Sequence, residues 1–138
     1  APMSEALKSI TFYDDTPAGM RRIVEVLTNP GFEPDEAMIA YRHALSIQED
    51  TRAAYAAPMD WIKARGGLYY DEAYMARLSR PTLVVNGKLD QVVPVSSAYR
   101  LLELIPHSWG CIIPDCGHWA MIEYPEAFAG IAGRFLLA

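Results

Sequence analysis

The stretch Pro114-Asp115-Cys116-Gly117-His118-Trp119 decides how this chain is read. It follows an apolar run, Trp109 to Ile113, with the composition of a buried strand, and a helical pattern resumes near Pro125. His118 is therefore expected in a loop at a strand's C-terminal end, the edge where parallel α/β sheets place their chemistry. Gly117 suits a sharp turn that presents the imidazole. Upstream stands a second strand-then-loop, Thr82 to Asn86 followed by Gly87-Lys88-Leu89-Asp90, which ends in a carboxylate. An acid and a base are thus expected at neighbouring strand ends. With the Asp first in the chain, they fit the last two members of a nucleophile–Asp–His relay.

Before these strands the pattern is helical. From Thr16-Pro17, residues Met20, Ile23, Val24 and Leu27 recur at helical spacing, with Thr16 as N-cap and Asn29-Pro30-Gly31 as the stop. A second helix, from about Pro34 to Leu45, carries Met38, Tyr41 and Leu45 along one side. Arg42 sits at the edge of that stripe, which aims a cation near an apolar surface. Ser46-Ile47-Gln48-Glu49 has capping-box spacing and is expected to open a third helix, which Pro58 kinks or stops before Trp61. Gly66-Gly67 breaks the chain, Asp71 caps a short helix through Leu78, and Arg80-Pro81 leads into the first strand.

The organisation shifts here from small helices to strand, loop, helix, strand, loop, helix, which puts a boundary near residues 66 to 80. The helix between the strands has Ala98, Leu101, Leu102 and Ile105 on one side, and the last helix has Phe128, Ile131, Ala132 and Phe135 likewise. Two apolar strands joined by a helical crossover imply a parallel sheet covered on both faces. Two such strands alone would leave backbone groups unpaired and apolar faces bare. The expectation is the C-terminal part of a larger α/β protein, with its other strands in an N-terminal piece outside this sequence.

With 138 residues, 51% of them hydrophobic, the chain can build a core. A net charge of −5 without any cluster of Lys or Arg argues against general affinity for nucleic acid or anionic membrane. No apolar run approaches the roughly 20 residues of a membrane span. The opening residues carry no basic segment or apolar signal core, and Cys111 and Cys116 suggest no disulfide framework, so a reducing cytoplasm is expected. There is no His-x-x-x-His, Cys-x-x-Cys or carboxylate cluster, hence no metal or cofactor is implied.

Taken singly, Asp90 can cap a turn and His118 can be a hydrogen-bonded loop residue. Together they match a relay in which the Asp holds the tautomer of the His and stabilises the imidazolium. No Gly-x-Ser-x-Gly elbow occurs, and none of the seven serines is framed by glycines. Either the nucleophile lies in another segment or the protein is not catalytic. Cys116 is a poor substitute, because a sulfur two residues from His118 on one loop seldom faces the imidazole. Arg42 either snorkels on a solvated face or forks onto a substrate carboxylate. Trp119 either packs or walls a pocket. His43 and His107 have no acid at useful spacing and receive no role.

These residues give the chain a resemblance to the C-terminal part of the α/β-hydrolase fold, with a helical lid and the last two strands of a mostly parallel sheet. Within that fold it resembles the meta-cleavage-product hydrolases, which break a carbon–carbon bond in ring-fission products of aromatic catabolism. The likeness rests on Pro81 to Pro94 with its Gly-x-x-Asp, on Cys-Gly-His-Trp-Ala-Met-Ile-Glu at 116 to 123, and on Tyr41-Arg42-His43-Ala44-Leu45-Ser46. It implies a lid over residues 1–70 and core over 71–138. It also implies a serine and an oxyanion hole in an N-terminal half that acts as partner, and a 2-hydroxy-6-oxo-dienoate as small-molecule substrate. By the same resemblance Asp90 orients His118, His118 is acid and base, Arg42 holds the substrate carboxylate, and Trp119 and Val93 line the pocket. Family members often assemble, so a homo-oligomer is among the expectations. Two other readings stay open: an esterase or lactonase of the same fold, and a non-catalytic binding module. On the carbon–carbon hydrolase reading this chain alone is expected to be inactive.

Overall fold

The computed structural model describes residues 3–138, so the first two residues of the expected lid segment lie outside the described residues. The chain divides into two compact units, Ala1–Tyr69 and Tyr70–Ala138. Among the described residues no helix is long and apolar enough to cross a membrane.

The first unit is helical: α1 (Glu5–Thr11), α2 (Pro17–Leu27), α3 (Glu36–Ser46) and α4 (Glu49–Arg65). Helix α2 forms as its sequence dictates. The Thr16 side chain accepts from the Gly19 N–H, Pro17 opens the first turn, and Met20, Ile23, Val24 and Leu27 are buried. Each such side chain contributes roughly 1.5–3 kcal/mol on burial, and they pack with Ala6 and Leu7 of α1, Ile39 of α3 and Ile62 of α4 into this unit's core. Helix α1, capped by Ser4 at the Leu7 N–H, has no counterpart in the sequence reading.

Three local features of this unit differ from the expectation. On α3 the buried residue is Ile39, with Arg42, His43 and Ser46 half-buried beside it, while Tyr41 and Leu45 are exposed. Met38 of the expected stripe is half-buried, so the packed face is rotated away from Tyr41 and Leu45 toward Ile39. Ser46 does not cap the next helix. It closes α3, its hydroxyl donating to the His43 carbonyl at 2.8 Å and bonded to the Tyr13 hydroxyl at 2.9 Å. Gln48 stands at the N-cap of α4 without a side-chain bond. Finally, Pro58 neither stops nor splits α4, which runs unbroken to Arg65. Its neighbours Ala53, Ala54, Ala56 and Ala57 are the strongest helix formers and sustain the turns that proline weakens. Gly66 then ends the helix in the left-handed conformation, φ 68°.

The second unit contains α5 (Glu72–Met75), β1 (Thr82–Gly87), α6 (Val95–Leu104), β2 (Ser108–Ile113), α7 (Ala120–Glu123) and α8 (Pro125–Leu136). Asp71 caps α5 at the Ala73 and Tyr74 N–H groups, but that helix ends at Met75, earlier than its sequence suggested. The strands pair in parallel, from Thr82 opposite Ser108 to Gly87 opposite Ile113, and they form the only sheet among the described residues. Alternation sorts their faces. On one, Gly110 admits Leu102 of α6, because a β-carbon there would lie 2.5 Å from the Leu102 methyl. On the other, Val85, Cys111 and Ile113 pack with Phe128 and Ile131 of α8, and Trp109 meets Phe135 edge to face at 5.7 Å. Helices thus lie against both faces of the sheet, as is usual for parallel strands, while Trp109 stays half exposed. Both strands end at the same edge, and the loops that follow them meet there.

Candidate active site

Asp90 ends the turn that follows β1. One of its oxygens, Oδ1, accepts from the backbone N–H groups of Val92 (2.8 Å) and Val93 (2.9 Å). This Asx-type turn rigidifies the carboxylate. The other, Oδ2, lies 2.8 Å from Nδ1 of His118. The Asp90 side chain is 4% exposed and that of His118 34%, so the acid is buried and the base reaches the surface. An Nδ1–H that donates to Asp90 fixes the neutral imidazole with Nε2 as its proton acceptor. That tautomer suits a general base.

Backbone contacts stitch the two loops together. The Lys88 N–H donates to the Ile113 carbonyl at 2.9 Å, and the Leu89 N–H donates to the Cys116 carbonyl at 2.8 Å. Gly87 has to be glycine for this approach, since a β-carbon would lie 1.9 Å from the Gly117 carbonyl oxygen and 2.3 Å from that of Cys116. The sharp turn sits at Asp115, whose φ is 52°, rather than at Gly117 as the sequence suggested. A short polar side chain makes Asp one of the few residues to visit the left-handed region readily. On the far side of the loop Glu123 of α7 receives the Gly117 N–H on both oxygens, at 2.9 and 3.0 Å.

Of the residues singled out in the sequence, Asp90, Val93, His118 and Trp119 share this edge. Val93 is half-buried and belongs to the Asp90 turn, and Trp119, also half-buried, is the residue at the N-terminus of α7. Arg42 lies on α3 in the helical unit, where burial lowers its pKa from the ordinary guanidinium value and Tyr55 partly opposes that. Burial conversely raises the Tyr55 hydroxyl. Cys116 is wholly buried, and burial, with Glu123 beside it, pushes its thiol up to about 12. It stays a neutral thiol, unfit as a nucleophile. His43 bonds the Asp15 carbonyl through Nε2 at 3.1 Å. An open cavity lined by Ser79, Pro81, Pro106, His107, Ser108 and Trp109 lies at the opposite ends of the strands, away from Asp90 and His118. Among the described residues no cluster of three metal-ligating side chains occurs.

Gly87 and Glu123 escaped the sequence reading as working residues. Both stand inside the motifs that carry the resemblance, Gly87 opening Gly-x-x-Asp and Glu123 closing the stretch 116 to 123, but neither is given a role there.

A parallel β–α–β unit with a His–Asp pair at its C-terminal edge defines a class, and the chain belongs to the α/β-hydrolase fold family, whose model matches residues 6–125. Among its relatives is the 2-hydroxy-6-oxo-6-(2'-aminophenyl)hexa-2,4-dienoic acid hydrolase of Metapseudomonas resinovorans. It is 53% identical over 132 residues, 96% of this chain and 46% of that protein. A 2-hydroxymuconate semialdehyde hydrolase of Pseudomonas sp. strain CF600 is 28% identical over 98% of this chain and 48% of its own length. The crystal structure of a serine hydrolase involved in carbazole degradation superposes with a TM-score of 0.84 at 54% identity, covering 91% of this chain and 48% of that one. The chain therefore spans about half the length of the relatives it matches.

Proposed function

We propose that this chain is the lid and the acid–base half of a serine hydrolase that cleaves a carbon–carbon bond in 2-hydroxy-6-oxo-hexa-2,4-dienoate-type ring-fission products. The observation that carries this reading is the 2.8 Å bond from His118 to a buried Asp90, in a chain 53% identical to a hydrolase named for such a dienoic acid. Residues 1–70 serve as the lid and 71–138 as the C-terminal part of the core. The nucleophilic serine and the oxyanion hole come from an N-terminal half, a role supported by the share of each relative that this chain leaves uncovered. Two free cysteines, Cys111 and Cys116, fit a reducing cytoplasm.

In this scheme Asp90 completes a triad. It holds His118 with Nε2 toward the reacting groups and stabilises the imidazolium that forms when the ring takes a proton. His118 then moves protons as the dienol is ketonised and as water completes cleavage. Arg42, whose guanidinium carries five donors in a planar fork, binds the substrate carboxylate. Trp119 and Val93 form apolar wall beside the imidazole, and the lid selects the 6-substituent.

The test is turnover of a 2-aminophenyl-substituted dienoate, followed by loss of its absorbance, with the chain alone and with the chain assembled with its serine-bearing half. Only the assembly is expected to be active. Arg42→Ala should lower kcat/KM for the dienoate about 100-fold, since two charge-assisted hydrogen bonds are at stake. A simple ester, which has no carboxylate to bind, should lose less than about threefold. If the assembly cleaves esters but not the dienoate, it is an esterase of the same fold. Absence of any turnover would make it a binding module.

A further inference from the structure

The peptide that carries His118 is gripped from two sides. On one, the Gly117 carbonyl abuts Gly87 and the Cys116 carbonyl accepts the Leu89 N–H, contacts made by backbone and set by the β1 loop. On the other, the Gly117 N–H points into a carboxylate that uses both oxygens on it. That carboxylate, Glu123, is half-buried, and α7 carries it back over the loop within a single turn, anchored by the Ile122 and Glu123 N–H groups on the Trp119 carbonyl at 2.8 and 2.9 Å. Charge-assisted bonds to backbone N–H groups are the strong ones. Gly117 directly precedes His118, so a change at this N–H alters the φ and ψ that aim the imidazole at Asp90.

We propose that Glu123 is a positioning residue for the His–Asp pair: its grip on the Gly117 N–H sets the His118 backbone and with it the Nδ1 to Oδ2 contact. Glu123 touches no reacting atom in this role. It acts through the histidine, so its removal is felt in the chemical step rather than in substrate binding. The inference rests on the acid–base role given to His118 above but not on the choice of substrate.

The experiment uses the assembled hydrolase and its Glu123→Ala, Glu123→Gln and Glu123→Asp variants. Two things are measured: kcat and KM on a dienoate and on an ester, and the low-field proton resonance of His118 Nδ1–H in the free protein. In Glu123→Ala, kcat should fall about 10- to 100-fold on either substrate, the scale of a misplaced catalytic group. KM should stay within about twofold, and the low-field resonance should shift or vanish. Glu123→Gln retains an acceptor for the N–H and should return to within about threefold of the parent. A folded Glu123→Ala variant with the parent's kcat and an unmoved resonance overturns the proposal. Should that variant not fold, Glu123→Asp, one methylene short of the N–H, decides by the same two readings. If the assembly turns over neither substrate, the hydrolase reading fails while the resonance still judges Glu123.

Discussion

Asp90 divides its two oxygens between tasks, Oδ1 holding the Val92 and Val93 N–H groups and Oδ2 holding His118. The turn thus orients the acid and the acid orients the base. Gly87 is what allows the two loops to come this close. A methyl group there meets two backbone carbonyls, neither of which can swing away as a side chain would. Gly87→Ala should therefore destabilise the protein by about 1–3 kcal/mol, as overpacking does. It should also lower kcat in the assembled hydrolase by about 100-fold through displacement of His118. Thermal unfolding and steady-state rates measure the two effects. An unchanged Tm together with an unchanged kcat would mean that the site does not depend on this close approach.

At the scale of elements, local signals and packing agree in α2 and part company in α3 and α4. Helix α2 has its cap, its first-turn proline and its apolar face all in accord. Helix α4 keeps Pro58 in its interior on an exposed side, where the ring removes one N–H and crowds the preceding turn. Pro58 is exposed and is not among the unit's buried core residues. Pro58→Ala should raise stability, by up to about 3 kcal/mol if the full helix-interior penalty is recovered. The urea midpoint and helical circular dichroism should both increase. A fall in either would show that the proline is required for the way α4 packs. In the second unit α6 lies on one face of the two strands and α8 packs on the other.

The whole molecule presents a sheet that the described residues leave at two strands, with Trp109 52% exposed on β2. Parallel strands are ordinarily buried within wider sheets. On the proposed function, the serine-bearing half supplies the neighbouring strand, and its binding to the folded chain alone stabilises that chain by mass action. Titrating that half into this chain should raise Tm in a concentration-dependent way, by about 2.7 kcal/mol of stability at 100 times its Kd. Differential scanning fluorimetry with a fixed amount of chain reads this directly. A Tm indifferent to the added half would remove the case for a shared sheet.

Much of this arrangement was legible in the amino-acid sequence. Both strands, the crossover helix with Ala98 and Ile105, the Thr16 cap and the Asp90 and His118 positions follow from periodicity and from the residues that start and stop elements, because those signals act over a few neighbours. The sequence also determined what the chain lacks, a glycine-framed serine. Tertiary structure alone decided which face of α3 is buried, that Ser46 serves Tyr13 rather than the next helix, and that Asp115 rather than Gly117 makes the turn. It also decided the contacts of Gly87 and Glu123. The Gly87 contact joins two loops far apart in the chain, and the Glu123 contact, although it reaches a residue close by in sequence, depends on how the loop and α7 fold back on each other. Such contacts are settled by how β1, β2 and α7 pack, which apolar periodicity and start-and-stop residues do not encode.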